Sequence, residues 1–365
     1  MTYCNQPFTN IRIEPDRSGD MLYRPCCLYN PMSESRSLKS YIESTEMVEL
    51  RHSLLDQTQL PAGCSACSKV EQQDHRSLRQ IHNQDKPVLT SVSLTSVEVF
   101  PGNVCNLRCL MCEPQLSSAL AAEYQRIGWH SGNTVIEHTN TIQDLESLQD
   151  LKSVTFIGGE FFLAKNSLEI LDYAIHKNLN VSVITNGTIL SAPHLARLKQ
   201  VNNLDITISI DGVGSVNEFI RYPSTWHEVD YNVDQLIHEL SHANVHFNTV
   251  VQLFNIHNLG TILDWADCKN KSVQLTPLEQ PTWLGWSVLT GSECEKLAQQ
   301  IELTPDPRTD AFVKNLRQSE FCRNTREQFV EKVSTLCRSR KIDLQQVNTV
   351  LDLLPLLKQQ VISSL

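Results

Sequence analysis

The sequence lacks any apolar run of the ~18 residues that a membrane-spanning helix needs. Its N-terminus is polar, so we predict no secretory signal peptide. Positive charge is also in short supply, and a formal net charge of −10 disfavours extensive contact with a nucleic acid backbone. The twelve histidines show no spacing typical of metal ligands. These absences predict a cytoplasmic protein with no membrane partner.

Cysteine, by contrast, is abundant. Twelve cysteines in a chain without a secretory signal indicate a reducing compartment, where metal binding is favoured over disulfides. Three of them, Cys105, Cys109 and Cys112, form a Cx3Cx2C cluster. A closed zinc site needs four ligands, so three at this spacing favour an iron–sulfur cluster with one iron open to a small molecule. The alternatives are three unrelated thiols, or zinc completed by a distant histidine.

Short β-branched runs with turn residues at their ends recur through the middle of the chain. The six predicted strands are residues 94–100, 154–157, 181–184, 204–208, 245–251 and 272–276. Such runs are typical of buried parallel strands, and helical patterns such as Leu168, Leu171 and Ile175 lie between them. This alternation predicts an α/β fold with a partial (β/α)6 TIM-like barrel over residues 90–288. Its cysteine loop follows the first strand, at the carboxyl end where such barrels place their chemistry.

The N-terminal segment, residues 1–85, carries a second group of cysteines. Its members are Cys4, Cys26, Cys27, Cys64 and Cys67. A hairpin between Cys4 and Cys26 and a CxxC knuckle at Cys64 bring four thiolates together, enough for a closed site. Such a site fits zinc as well as iron. Cys27 competes with Cys26 for one ligand position.

Past Thr290 no further strand pattern appears, and the rest of the chain has helical spacing. The predicted helical stretches are 291–303, 308–340 and 343–363, the last including Val347 and a kink at Pro355. We therefore expect a helical C-terminal extension, residues 289–365, that caps the barrel. The alternative is that it forms part of a substrate groove. Cys268, Cys294, Cys322 and Cys337 are scattered through helical stretches and are expected to be ordinary thiols.

The cysteine loop and the turns after the strands, taken together, resemble the radical S-adenosylmethionine (SAM) enzyme superfamily. Residues 158–160 resemble its GGE motif, and Ser209 with Arg221 resembles the SxDG-to-Arg arrangement of members with SPASM or twitch modules. The resemblance implies that a SAM-binding [4Fe–4S] cluster is held by the catalytic residues Cys105, Cys109 and Cys112. The cofactor-binding residues that it implies are Met111, Gly158, Gly159, Glu160, Asn186, Ser209, Asp211 and Arg221.

The resemblance also assigns roles to these residues. The backbone of the GGE turn holds the SAM amine, with glycines because a ligand approaches closely. Ser209 and Arg221 bind the SAM carboxylate, for which a guanidinium fork is suited. Two positions depart from the family pattern. Met111 stands where an aromatic residue is usual and offers adenine a soft apolar surface, and Phe161 stands where proline is common.

The N-terminal segment resembles a twitch module, a shortened SPASM module with one auxiliary [4Fe–4S] cluster. The ligands that this implies are Cys4, Cys26, Cys64 and Cys67. Cys26 is favoured over Cys27 because it directly follows Pro25, as in the family's hairpin. The family usually has this module after the barrel, whereas here it precedes it.

The resemblance implies an oxidoreductase that takes an electron from a reductant such as flavodoxin or ferredoxin. SAM is then cleaved to methionine and a 5′-deoxyadenosyl radical, which abstracts hydrogen from a substrate carbon. The auxiliary cluster either accepts the electron returned by the substrate radical or is structural. We expect oxidative modification of a peptide. The alternatives are dehydrogenation or rearrangement of a sugar, amino acid or nucleotide, nucleic acid modification, and a non-catalytic iron–sulfur scaffold.

Overall fold

The computed structural model describes residues 2–15, 21–30, 37–56, 60–72, 76–137, 141–345 and 349–365. Residues 16–20 of the predicted hairpin between Cys4 and Cys26, and the predicted helical residue Val347, lie outside these described residues. Within the described residues, no helix is both long and apolar enough to cross a membrane.

Eight strands form the sheet, and six of them are the strands predicted for the barrel. The strands are β1 (Asn10–Pro15), β2 (Met21–Arg24), β3 (Ser96–Val99), β4 (Ser153–Phe156), β5 (Asn180–Thr185), β6 (Leu204–Ser209), β7 (Asn244–Val251) and β8 (Val273–Pro277). Their order is β2-β1-β3-β4-β5-β6-β7-β8. The pairs β1–β3, β3–β4, β4–β5 and β7–β8 are parallel. The α/β class is therefore confirmed.

The N-terminal hairpin extends this sheet, which the sequence did not predict. Strand β1 pairs antiparallel with β2 and parallel with β3, in the register Ile11 with Val97. The side chains of Ile11 and Ile13 are fully buried. Arg12 forms ion pairs with Glu98 of β3 and with Glu14 of its own strand. Apolar burial and these charges together attach the hairpin to the sheet.

Helices connect the strands and make up the C-terminal part of the chain. They are α1 (Gln6–Thr9), α2 (Leu38–Ile42), α3 (Thr45–Asp56), α4 (Ser65–Gln72), α5 (Leu78–Asn83), α6 (Ser118–Arg126), α7 (Thr141–Ser147), α8 (Asn166–His176), α9 (Ala192–Leu198), α10 (Ser215–Ile220), α11 (Trp226–Glu239), α12 (Leu259–Cys268), α13 (Gly291–Glu302), α14 (Asp310–Arg317), α15 (Arg323–Arg340) and α16 (Pro355–Ser363). The stretch predicted at 308–340 is two helices. The predicted kink at Pro355 is wrong, because this proline is the first residue of α16, where its missing N–H is tolerated.

The chain divides into two compact units. Unit 1 contains Met1–Cys105, Gly132–Val183 and Ser191–Asp205, and unit 2 contains Asn106–Ser131, Ile184–Leu190 and Ile206–Leu365. In unit 2 the helical extension shares one apolar core with α12 and the end of β7, for example through Phe254, Phe329 and Leu351. The predicted domain limits, 1–85, 90–288 and 289–365, stay a prediction.

Candidate functional site

The loop that leads into the cysteine cluster is anchored in unit 1 by a buried asparagine. Asn103 follows β3, and its backbone N–H donates to the carbonyl of Ile136 at 2.9 Å. Its side chain accepts from the Ile136 N–H at 2.8 Å and donates to the Thr134 carbonyl at 3.1 Å. Three hydrogen bonds therefore fix the chain two residues before Cys105.

The GGE turn packs directly on this loop. The N–H of Gly159 donates to the Gly102 carbonyl at 3.0 Å, and that of Glu160 to the Val104 carbonyl at 2.8 Å. A Cβ atom on Gly159 would lie 2.4 Å from the Val104 oxygen, so glycine is required. The close approach is thus made by the protein's own backbone, whereas the prediction attributed it to a ligand. A role of Gly158, Gly159 and Glu160 in holding SAM stays a prediction.

In unit 2, Asn186 belongs to a triad of polar side chains beside the cysteine loop. Its amide N–H donates to the Asn106 side-chain oxygen at 3.1 Å. Its own oxygen accepts from the Thr188 N–H at 2.9 Å, and Asn106 donates to the Thr188 hydroxyl at 2.9 Å. Asn106 directly follows Cys105, so the triad links the turn after β5 to the loop. Sequence reasoning missed Asn106 and Thr188, although both adjoin the motifs that it identified.

Two backbone hydrogen bonds place Cys109 opposite Arg221 in unit 2. The N–H of Arg108 donates to the Tyr222 carbonyl at 2.6 Å, and that of Leu110 to the Ile220 carbonyl at 2.9 Å. Cys109 is buried, and burial raises the pKa of its thiol, while the charge of Arg221 acts in the opposite direction. The middle cysteine of the loop is therefore held beside a permanent positive charge.

Arg221 forms a buried ion pair with Asp211. Their side chains approach to 2.8 Å, and both residues are buried. Asp211 also accepts from the Val250 N–H at 2.8 Å. Burial raises the pKa of Asp211, and the Arg221 charge partly offsets this. The guanidinium retains one buried N–H, at Nε, with no hydrogen-bond partner among the described residues.

The remaining predicted site residues lie in less enclosed positions. Ser209 ends β6 and is half-buried. Met111 is half-buried as well and packs against the apolar core of unit 2. Cys105 and Cys112 are also half-buried.

The four predicted N-terminal ligands surround one small cavity in unit 1. The residues lining it are Cys4, Gln6, Cys26, Leu28, Tyr29, Gly63, Cys64, Cys67, Leu78, Arg79 and His82. Three separate parts of the chain thus contribute thiols to one space. Cys27 is not among the lining residues. Burial raises the pKa of its thiol to about 12, and its charged neighbours are Glu98 and Arg12.

The thiols around this cavity influence one another. The pKa of Cys64 is raised to about 12, mainly by burial and in part by the neighbouring thiols of Cys4, Cys26 and Cys67. The pKa of Cys4 and that of Cys26 are each raised to about 11, again mainly by burial. Four thiols that line one small cavity suit a closed iron–sulfur site.

The donor chemistry of both cysteine groups fits iron–sulfur clusters. A [4Fe–4S] cluster takes each thiolate on a different iron, so its ligands surround a volume and do not converge on a point. Among the described residues, no group of three or more His, Cys, Asp or Glu side chains converges on a single-ion position.

Comparisons with known proteins agree with this chemistry. Residues 99–266 match the family model of the Radical SAM superfamily. The chain is 25% identical over 221 residues to the mycofactocin maturase MftC of Mycobacterium ulcerans (strain Agy99), covering 60% of this chain and 55% of that protein. It is 31% identical over 112 residues to the antilisterial bacteriocin subtilosin biosynthesis protein AlbA of Bacillus subtilis (strain 168), covering 30% and 23%.

The similarity is partial in extent. The chain spans about half the length, or less, of these curated relatives. Among solved structures, native anSMEcpe with bound AdoMet has 18% identity and a TM-score of 0.43, covering 62% of this chain and 64% of that chain. The family match and the three-cysteine loop after β3 support the radical SAM superfamily for residues 99–266, with a [4Fe–4S] cluster and S-adenosylmethionine as cofactors.

Proposed function

We propose that this protein is a radical SAM enzyme that oxidatively modifies a peptide. In this proposal Cys105, Cys109 and Cys112 hold the SAM-binding cluster. When bound, this cluster and SAM supply a 5′-deoxyadenosyl radical that removes hydrogen from a substrate carbon. The protein's own contribution is to fix the loop, orient the cofactor and exclude water.

The contacts of the residues around the cysteine loop support this proposed role of the protein in fixing the loop and orienting the cofactor. Asn103 and the GGE turn hold the chain before Cys105, and Asn186 and Thr188 hold the residue after it. Arg221 stands opposite Cys109 and keeps a buried donor that suits a carboxylate. We propose that Asp211 acts by orienting Arg221 toward the SAM carboxylate, since the two form a buried ion pair.

The observation that carries the oxidative part of the proposal is the four-cysteine cavity. We propose that Cys4, Cys26, Cys64 and Cys67 hold an auxiliary [4Fe–4S] cluster there. A radical left on the substrate must lose one more electron to give a stable oxidised product. A second cluster provides an acceptor for that electron, whereas a scaffold without catalysis requires none.

The assignment of a peptide as the substrate is the most specific part of the proposal. It is supported by the names of the two curated relatives, a maturase and a bacteriocin biosynthesis protein. One name describes maturation and the other biosynthesis of a bacteriocin, and we propose that this chain takes part in the same class of task by modifying a peptide.

The test follows deuterium from substrate to cofactor product. Short peptides, together with any that the neighbouring genes encode, are prepared with deuterated residues and incubated anaerobically with reconstituted enzyme, SAM and dithionite. Deuterium in 5′-deoxyadenosine, with a peptide lighter by two hydrogens, is the expected result. Efficient turnover of a free sugar or amino acid, with no deuterium transfer from any peptide, would contradict the peptide assignment.

A further inference from the structure

The C-terminal extension is connected to the cysteine loop by a buried arginine. Arg340 is the last residue of α15 and only 6% exposed. Its Nη2 donates to the backbone carbonyl of Arg108 at 2.8 Å. Arg108 directly precedes Cys109, so the helical extension contacts the loop one residue away from the middle cysteine.

The same guanidinium is held by a buried carboxylate. Glu123 of α6 is 2% exposed and accepts from Arg340 Nη2 at 2.7 Å and from its Nε at 3.1 Å. The Ser339 hydroxyl donates to Glu123 at 3.2 Å, and Arg108 approaches the same carboxylate at 3.5 Å. An arginine fork that is bound on two sides has a fixed orientation, which a lysine could not reproduce.

An aromatic ring completes the arrangement. The guanidinium groups of Arg108 and Arg340 lie 4.7 Å and 5.0 Å from the centre of the Tyr222 ring. The Tyr222 carbonyl accepts from the Arg108 N–H, and its hydroxyl donates to the Arg340 carbonyl at 3.3 Å. Tyr222 also follows Arg221, the residue opposite Cys109. Helix α15, the cysteine loop and the Arg221 segment are thereby joined in one packed group.

We infer that Arg340 is a positioning residue for the SAM-binding cluster. Through the Arg108 carbonyl it fixes the backbone beside Cys109, and with Glu123 it sets the local charge. The extension is then part of the cluster site and more than a cap. This inference rests on the proposed placement of the cluster at Cys105, Cys109 and Cys112.

Loss of Arg340 changes both the charge and the geometry beside the cysteine loop, and the two changes affect different properties of the cluster. Loss of Arg340 removes one positive charge and the shortest ion pair of Glu123, whose carboxylate keeps only longer ion-pair contacts to Arg108 at 3.5 Å and Arg126 at 3.8 Å. The charge near the loop becomes more negative, which makes reduction of the cluster harder. Loss of the fork frees the Arg108 carbonyl, and changes of this kind outside the ligand set typically weaken metal sites roughly 10–100-fold.

The test compares Arg340→Met with Arg338→Met in the full-length, anaerobically reconstituted protein. Arg338 is an exposed neighbour on the same helix that contacts the Ser364 carbonyl, so it is a matched control. The measurements are the midpoint potential of the EPR signal that changes on adding SAM, and iron retention against a chelator. We expect a more negative potential and about tenfold weaker retention for Arg340→Met, and wild-type values for Arg338→Met.

Two further variants protect the test against simple misfolding. The double variant Glu123→Gln/Arg340→Met removes both buried charges, so it should fold and regain the wild-type midpoint potential. It should still retain iron poorly, because the guanidinium that holds the Arg108 carbonyl is absent. Arg340→Lys keeps the positive charge but not the guanidinium fork, so it should keep the wild-type midpoint potential and lose iron retention. Wild-type potential and retention in Arg340→Met and in the double variant would overturn the inference. Absence of a SAM-sensitive signal in the wild type itself would contradict the proposed function.

Discussion

Single residues in the turn at 158–160 are constrained by the backbone that they touch. Gly158 adopts a φ of +112°, a conformation that favours glycine, and the Phe100 ring fills the space where its Cβ would be. Gly159 lies against the Val104 carbonyl. The pattern GGE therefore reports a close contact between two loops. Its sequence signal is strong, but the sequence alone did not identify the approaching partner.

A substitution at Gly159 tests this explanation. We expect Gly159→Ala to lower the free energy of unfolding by roughly 1–3 kcal/mol, because the methyl group collides with rigid backbone. Gly291→Ala is the matched control, since nothing lies within 4 Å of the added atom and the residue begins α13. Denaturant unfolding of the metal-free protein measures both. Equal stability of the two variants would show that the turn has room for a side chain.

At the scale of secondary-structure elements, the positions of the strands could be predicted from the sequence, but some of the pairings between strands could not. The six barrel strands are buried β-branched runs bounded by turn residues, and this signal is local. Pairing of β1 with β3 depends on contacts such as Arg12 with Glu98, 86 residues apart. The link from Arg340 to Glu123 spans 217 residues. No local pattern encodes contacts over such distances.

The N-terminal cysteines show the same contrast. The hairpin and the CxxC knuckle predicted that cysteines from separate segments would meet, and the resemblance favoured Cys26 over Cys27; Cys4, Cys26, Cys64 and Cys67 line one cavity. The separation of Cys26 from Cys27 depends on packing, because adjacent residues can face different surroundings. Cys26 lines the cavity, whereas the thiol of Cys27 has Arg12 and Glu98 as its charged neighbours.

These two adjacent cysteines provide a test of the auxiliary site. We expect Cys26→Ala to lower the iron content of the reconstituted protein from ~8 toward ~4 per chain, since one cluster loses a ligand. Cys27→Ala should keep ~8 irons and serves as the control. Iron analysis with Mössbauer spectroscopy measures both. Iron loss in Cys27→Ala with retention in Cys26→Ala would reverse the assignment, and tightly bound zinc would exclude an electron-accepting role.

At the scale of the whole molecule, the chemistry proposed here needs residues from distant parts of the chain. Unit 2 alone combines the second half of the cysteine loop, the turn after β5, the Asp211–Arg221 pair and helix α15, which ends at Arg340. Sequence motifs identified the first three of these. Arg340 lies in a helix whose pattern predicted only packing, so its connection to the loop required the structure.

The central claim is that the loop at Cys105, Cys109 and Cys112 supports reductive cleavage of SAM. The most direct measurement is 5′-deoxyadenosine formed by the anaerobically reconstituted protein with SAM and dithionite. We expect product from the wild type and from the control Cys268→Ala, an exposed cysteine outside both groups. Alanine at any one of the three loop cysteines should abolish the product. Undiminished 5′-deoxyadenosine from any of those three variants would contradict the account.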